Sequence, residues 1–346
     1  MRNWVLIGLL ALVLCSCSTD VDLYADYKDI PVVYGLLNAS SDTNFVRITR
    51  AFCGDNDNPI NAFEVALISD SSNYPGKLDA FFDELKSVQG QPFQPTGRRF
   101  FLDTLTIHNK KEGLFYAPHQ KLYYTTEHFR TNVGNDKYHY KLYVVKPDYD
   151  TVTAETGIVA GDIGISSAMV DFQSNPTNAS AYIIFTSTEE AILYEIGMRF
   201  IYWEGYPGQP MMKKEVDWSY SPKTLAAYDK VTGTDNIYKS YYSPNILFNV
   251  LERVIGNDTI GAGNHPDIIR YIDSFVVSIA AAGEDFNRYY QFVQTTMNGL
   301  SLSTEYSNVD GGCGILSSRI FVSREVTLSA GTQLDLFRKP WGFQEH

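Results

Sequence analysis

Residues 138–146 (YHYKLYVVK) carry the clearest structural pattern in the chain. Tyr140, Leu142 and Val144 would share one face of an extended segment, with Lys and Tyr side chains between them on the other. Apolar residues at every second position are typical of a β-strand that buries one face. A proline follows this stretch, and residues 151–156 resume the alternation, so a second strand is expected there.

Segments of the same kind recur along the chain, which has 346 residues and an aromatic content of 14% that favours strands. Further strands are predicted at residues 32–37, 44–52, 100–108, 121–125, 181–186, 192–203, 213–218, 274–280 and 319–328. Short strands separated by turn signals are typical of sandwiches and barrels. The predicted fold class is therefore mainly β (α+β).

The length predicts two domains, since a domain averages roughly 150 residues. Three glycines and little pattern between residues 157 and 164 place the boundary near residue 160. We predict an immunoglobulin-like β-sandwich at 29–160 and a second β-rich domain at 161–346.

Helices are predicted where apolar residues recur at three- and four-residue spacing. The second domain should contain one helix near 244–255, preceded by a Ser-Pro start signal, and another near 284–297 with an aromatic stripe. Leu78, Phe81, Phe82 and Leu85 have the same spacing, which predicts a helix within the first domain as well.

The N-terminus has the features of a bacterial lipoprotein signal. A short positive start precedes an apolar run that ends in Leu14-Cys15-Ser16-Cys17, which fits a lipobox. We therefore predict a signal peptide at 1–16, lipidation of Cys17, and a polar, acidic tether at 17–28. Several acyl chains on one cysteine anchor a protein stably to a membrane. The alternative is an ordinary secretory signal with an incidental cysteine.

Two further cysteines, Cys53 and Cys313, remain in the predicted mature chain. An even number of cysteines in an exported protein is consistent with a disulfide. The alternative is that both thiols are unpaired.

Catalytic and cofactor motifs are lacking in the sequence. There is no nucleophile elbow, zinc-protease helix, P-loop or dinucleotide fingerprint, and the six histidines show no paired ligand spacing. No metal site, cofactor or catalytic residue is predicted, and the chain is not expected to be an enzyme. A net charge of −12 argues against a nucleic-acid partner, which requires a basic face.

An aromatic loop is the remaining functional signal. Trp203 and Tyr206 fall in a Pro/Gly-rich stretch after a predicted strand, and exposed aromatic rings there could stack on a sugar or anchor a protein partner. The structural alternative is that Trp203 packs inward. Trp218 and Trp341 are weaker candidates.

Three segments together resemble a known family: the lipobox, residues 29–48 (DIPVVYGLLNASSDTNFVRI), and the block from Ser278 to Arg319, which contains NVDGGCGILSSR at 308–319. They resemble a domain-of-unknown-function family of Bacteroidetes outer-membrane lipoproteins. Leu316 stands where that family usually has Phe, and Cys313 lies inside the glycine turn. The resemblance implies association with TonB-dependent receptor systems and implies no catalytic residues.

The sequence thus predicts an outer-membrane, lipid-anchored protein on the periplasmic or cell-surface face. Its expected role is a non-enzymatic binding or accessory component, with a TonB-dependent receptor or a glycan or peptide ligand as partner. The alternatives are a surface structural or adhesion protein and, less favoured, a glycan hydrolase.

Overall fold

The computed structural model describes residues 29–51, 73–108, 119–147, 150–161, 163–177, 181–256, 267–297 and 306–345. Within these ranges the chain is mainly β, as predicted, with three helices beside its strands. The helices are α1 (Ile246–Ile255), α2 (Glu284–Met297) and α3 (Ala330–Arg338). No helix in this part of the chain combines the length and apolar content needed to cross a bilayer.

The first eight strands are β1 (Pro31–Leu37), β2 (Asn44–Arg50), β3 (Asp79–Val88), β4 (Gln94–Phe101), β5 (Asp103–Ile107), β6 (Gln120–Thr125), β7 (Asp136–Val145) and β8 (Thr151–Gly157). The later strands are β9 (Gly164–Ile165), β10 (Met169–Val170), β11 (Ala181–Thr186), β12 (Leu193–Gly205), β13 (Met212–Ser219), β14 (Lys223–Thr224), β15 (Asp229–Lys230), β16 (Ile237–Tyr242), β17 (Ile269–Ala282), β18 (Val309–Asp310), β19 (Cys313–Leu328) and β20 (Phe343–Gln344).

The first eight strands form a sandwich with immunoglobulin-like strand order. One layer runs β1-β2-β6-β5 and the other runs β8-β7-β3-β4. These orders correspond to the A-B-E-D and G-F-C-C′ sheets of an immunoglobulin domain. Inward side chains of both layers, including Val33, Tyr123, Phe82 and Leu142, form one buried apolar cluster.

Tyr140 of β7 ties this sandwich to the segment that precedes the strand. Its hydroxyl accepts a hydrogen bond from the Arg130 backbone N–H at 2.6 Å and donates to Glu84 Oε2 at 2.9 Å. A tyrosine early in this strand that binds upstream backbone is a hallmark of immunoglobulin-like folds. Burial, with the neighbouring Glu84 carboxylate adding to it, raises the pKa of Tyr140 far above its ordinary value, so the hydroxyl stays protonated.

The second half of the chain is built on another buried cluster, between a four-stranded sheet (β15-β16-β11-β9) and the long strands β12, β17 and β19. Leu247 and Leu251 of α1 are fully buried in this cluster. The helix at 284–297 is present, but Tyr289 and Tyr290 of its aromatic stripe are only half-buried.

Strand β19 belongs to both halves. Residues at its start pair in parallel with β1, whereas Arg319 to Val326 pair with β17 in the antiparallel sense. One eleven-stranded sheet therefore passes through both clusters of the described chain. Ile158 belongs to the apolar cluster of the first half, and the next residue, Val159, belongs to that of the second half. The division into two domains near residue 160 stays a prediction, because this shared sheet connects the halves.

The side chain of Asn308 holds the start of β19 in place. Its Oδ1 accepts from the Leu316 backbone N–H at 2.9 Å, and its Nδ2 donates to the Leu316 carbonyl at 2.7 Å. The amide thus satisfies both backbone groups of one residue, as a neighbouring strand would. Asn308 therefore has a structural role at the start of β19.

The helix expected around residues 78–85 is wrong, because this segment is strand β3. Phe81, Phe82 and Leu85 happen to match helical spacing, but Leu78, Ala80, Phe82 and Glu84 are buried at period two. Pairing with β4 on one side and β7 on the other satisfies the backbone of β3 and outweighs the local pattern.

The single strand predicted at 100–108 is two strands, β4 and β5, which belong to different layers. Leu102 lies between them and is buried. The chain crosses from one layer to the other at this residue, which alternation alone does not reveal because both strands keep an extended backbone.

Candidate functional site

Several predicted site residues lie outside the described part of the chain. Cys17 and Cys53 both fall there, so the lipidation and the disulfide stay predictions. Cys313 is half-buried at the start of β19, opposite Val32 of β1, and forms no disulfide within the described residues.

Trp203 lies on the outer face of the long sheet, close to the end of β12. Its neighbours along the strand, Phe200 and Tyr202, point into the second apolar cluster. Trp203 Nε1 donates to Asp273 Oδ1 at 2.8 Å, and Lys213 Nζ lies 5.6 Å from the ring centroid. The indole is therefore half-buried, and it contacts a side chain on each neighbouring strand, β13 and β17.

Lys213 and Asp273 complete a small polar cluster with Trp203. Lys213 Nζ lies 3.0 Å from Asp273 Oδ2. The hydrogen bond from Lys213, followed by that from Trp203, lowers the pKa of Asp273 below its ordinary value. The carboxylate therefore stays ionised at neutral pH. This arrangement cross-links the ends of β12, β13 and β17, and it supports the loop that follows Trp203.

That loop forms one wall of an open cleft of about 640 Å³, which we call the loop cleft. The lining residues are Glu204, Gly205, Tyr206, Pro207, Gln209, Pro210, Met212 and Asp267. Tyr206 is 39% exposed. Gly208 adopts a positive φ of 77°, and the Gln209 N–H bonds to the Tyr206 carbonyl at 2.9 Å, so a tight turn fixes the tip of the loop.

Glu204, in the wall of the loop cleft, forms an ion pair with a buried arginine behind it. Arg270 is fully buried, and its Nε and Nη2 lie 2.8 and 2.7 Å from Glu204 Oε2. A further guanidinium nitrogen donates to the Trp341 carbonyl at 2.6 Å. Because a planar guanidinium bonds in fixed directions, this pair sets the position of Glu204 and of the backbone that leads to Tyr206.

A second open space, about 670 Å³, lies where β17 and β19 part, and we call it the sheet cleft. Asp273, Glu325 and Glu345 contribute carboxylates to its wall, and Phe337 of α3 contributes an aromatic ring. The strands separate here because the start of β17 pairs with β20 instead of β19. Trp203 borders this cleft only through Asp273.

The structure therefore does not join Trp203 and Tyr206 in one aromatic platform. Tyr206 lines the loop cleft, whereas Trp203 is a supporting residue beside it. Of the weaker candidates, Trp341 is a core residue, 1% exposed, and Trp218 is half-buried against Phe172 and Phe275.

Sequence reasoning missed the partners Asp273 and Arg270, which lie on β17 far along the chain from the aromatic loop, and Lys213, which lies on the next strand, β13. Only the cross-strand register brings them together, and register depends on tertiary pairing. Within the described ranges, no group of three or more His, Cys, Asp or Glu side chains is placed to hold a metal ion.

Comparison with known proteins adds no identification: no protein-family model matches this chain, and no curated protein matches it.

Proposed function

We propose that this protein is an outer-membrane lipoprotein, anchored through Cys17, that binds a ligand in the loop cleft without catalysing a reaction. In this proposal it serves as a binding or accessory component of a TonB-dependent uptake system. The single observation that carries the binding role is the loop cleft itself, with Tyr206 exposed at its wall and Glu204 of the same wall held by buried Arg270. The lipobox and the family resemblance support the anchor and the location.

The lining of the loop cleft favours a neutral ligand such as an oligosaccharide. Tyr206, Pro207, Pro210 and Met212 supply apolar surface, on which the apolar face of a sugar ring can lie. Glu204, Gln209 and Asp267 supply acceptors for hydroxyl groups. Two carboxylates and no basic side chain line this cleft, so an anionic ligand is disfavoured.

The carboxylates near the clefts support binding rather than glycoside hydrolysis. A hydrolase needs one carboxyl group with a raised pKa to protonate the leaving group. Glu204 is already held by Arg270, and the pKa of Asp273 is lowered. Glu325 and Glu345 are exposed to solvent and are not enclosed by the sheet cleft.

Replacing Tyr206 with alanine should weaken ligand binding at least about tenfold, because an exposed aromatic anchor is removed. The ligand is found first by screening the purified chain against neutral oligosaccharides, and the affinity is measured by calorimetry. The melting temperature should hardly change, since Tyr206 is exposed.

Tyr241→Ala is the matched control, because Tyr241 is 48% exposed but lies on β16, outside the loop cleft. It should leave the affinity unchanged. Equal losses in both variants, or an unchanged affinity in Tyr206→Ala, would place the ligand elsewhere. Binding of peptides but of no oligosaccharide would keep the site and change the ligand class.

Replacing Cys17 with alanine should prevent acylation, so the protein should leave the outer-membrane fraction or accumulate unprocessed. Fractionation followed by detection of the chain in each fraction measures this result. Retention in the outer membrane as before would refute the anchor.

Pull-down of the native lipoprotein from detergent-solubilised outer membranes tests the partner, and a co-purifying TonB-dependent receptor is the expected result.

A further inference from the structure

His108 and His119 lie together on the first sandwich although no motif connects them. Their Nδ1 atoms are 2.8 Å apart, and the rings meet edge to face with centroids 4.7 Å apart. Both side chains are exposed to solvent. Spacing along the sequence does not reveal this pair, because the two residues are eleven positions apart.

The register of β5 and β6 explains how they meet. Thr106 pairs with Lys121 and Ile107 with Gln120, so the next position along the ladder sets His108 opposite His119. Residues that are directly opposite in an antiparallel pair share one face, with Cβ atoms about 4.5–5.5 Å apart. The two imidazoles are therefore held side by side by the strands themselves.

The distance between the two nitrogens fits some metal ions better than others. Metal–imidazole bonds are about 2.0–2.1 Å long, so two nitrogens 2.8 Å apart subtend an angle of about 86° at a shared ion. A tetrahedral ion needs nitrogens about 3.3 Å apart at the same bond length. Adjacent positions of a tetragonal or octahedral ion, at about 90°, match this spacing, as in Cu²⁺ and Ni²⁺ sites.

Open space beside His119 leaves room for water on such an ion. An open depression of about 380 Å³ borders His119, with Thr106 and Asn73 in its wall. Lys121 also lines it. Lys121 Nζ donates hydrogen bonds to the backbone carbonyls of Tyr74 and Gly76 at 2.8 and 2.9 Å, so its ammonium group is held against these carbonyls. Arg50, also in the wall, lowers the affinity for a cation without blocking the two nitrogens.

We propose that His108 and His119 form a two-histidine chelate for Cu²⁺ or Ni²⁺, with water completing the coordination. The ion takes the place of the hydrogen bond between the rings after a small rotation of each. This site is independent of the loop cleft, which lies in the other half of the chain.

The test uses the mature chain without an affinity tag, stripped of metal by a chelator and titrated with Cu²⁺, Ni²⁺ and Zn²⁺ in separate experiments. The Cu²⁺ complex should show a tetragonal electron paramagnetic resonance signal with two coupled imidazole nitrogens. His108→Asn and His119→Asn should each weaken Cu²⁺ binding at least about 100-fold, because losing one ligand removes the gain from simultaneous attachment.

His128→Asn is the matched control, since His128 is also exposed but lies beyond the end of β6. It should leave the affinity and the spectrum unchanged. Ni²⁺ should bind more tightly than Zn²⁺. Wild-type affinity in either the His108 or the His119 variant, or tighter binding of Zn²⁺ than of Ni²⁺, would overturn the proposal. Because both histidines are exposed, the variants should keep the wild-type melting temperature without metal.

Discussion

Replacing Gly314 with alanine is expected to lower the free energy of unfolding by about 3–6 kcal/mol, from backbone strain and overpacking together. Gly314 has a φ of 110°, a conformation that side-chain-bearing residues rarely adopt. A Cβ at this position would lie 2.0 Å from the carbonyl oxygen of Val33, its partner in the parallel β1–β19 pairing. That contact cannot be relieved by rotating a side chain, because the neighbour is backbone.

Chemical denaturation of the Gly314 variant, monitored by tryptophan fluorescence, measures the change. Gly164→Ala is the matched control, because Gly164 is also in a strand but has open space where its Cβ would be. It should change the stability by less than about 1 kcal/mol. Similar stability in the two variants would contradict the close approach of β19 to β1.

Replacing Glu204 with alanine should destabilise the protein by about 3–5 kcal/mol, because it leaves the fully buried guanidinium of Arg270 without its counter-charge. The Trp341 carbonyl remains as a partner but carries no compensating charge. The loop cleft should lose its ligand affinity as well, since the ion pair fixes the backbone that leads to Tyr206.

Two comparisons separate charge burial from simple loss of a side chain. The double variant Glu204→Leu with Arg270→Met removes both charges and should recover most of the lost stability. Glu215→Ala breaks an exposed pair with Arg199, 3.3 Å apart, and should cost less than about 1 kcal/mol. Equal effects of the Glu204 and Glu215 single variants would show that burial of Arg270 adds nothing.

The two incorrect strand and helix assignments show where local pattern reading fails. The residues around Phe82 carry helical and strand periodicity at once, and the pairing of β3 with two neighbours decided between them. The sequence pattern also does not show that one strand ends and the next begins at Leu102, because an extended chain that crosses between layers keeps its alternation. By contrast, the strand at 181–186 and the helix at 284–297 have the predicted bounds, because a single periodicity dominates each.

The candidate site was only half visible from the sequence. Tyr206 was identified because a Pro/Gly loop with aromatic residues is a local feature. A binding role for Trp203 stays a prediction, and its contacts with Asp273 and Lys213 were not visible in the sequence because these partners come from two other strands. The His108–His119 pair was missed entirely, because ligand spacing along a chain detects pairs on one helix or strand but not pairs across a ladder.

By itself, the sequence determined the mainly β class, most strand positions and two of the helices, because alternation and helical spacing record which side chains face a core. Tertiary structure alone decided the sheet order, the strand β19 shared by both halves, the burial of Arg270 against Glu204, and the meeting of the two histidines. The physical reason is that strand pairing is non-local. Hydrogen bonds and side-chain contacts between strands depend on register, which is fixed only when distant segments bury their apolar faces together.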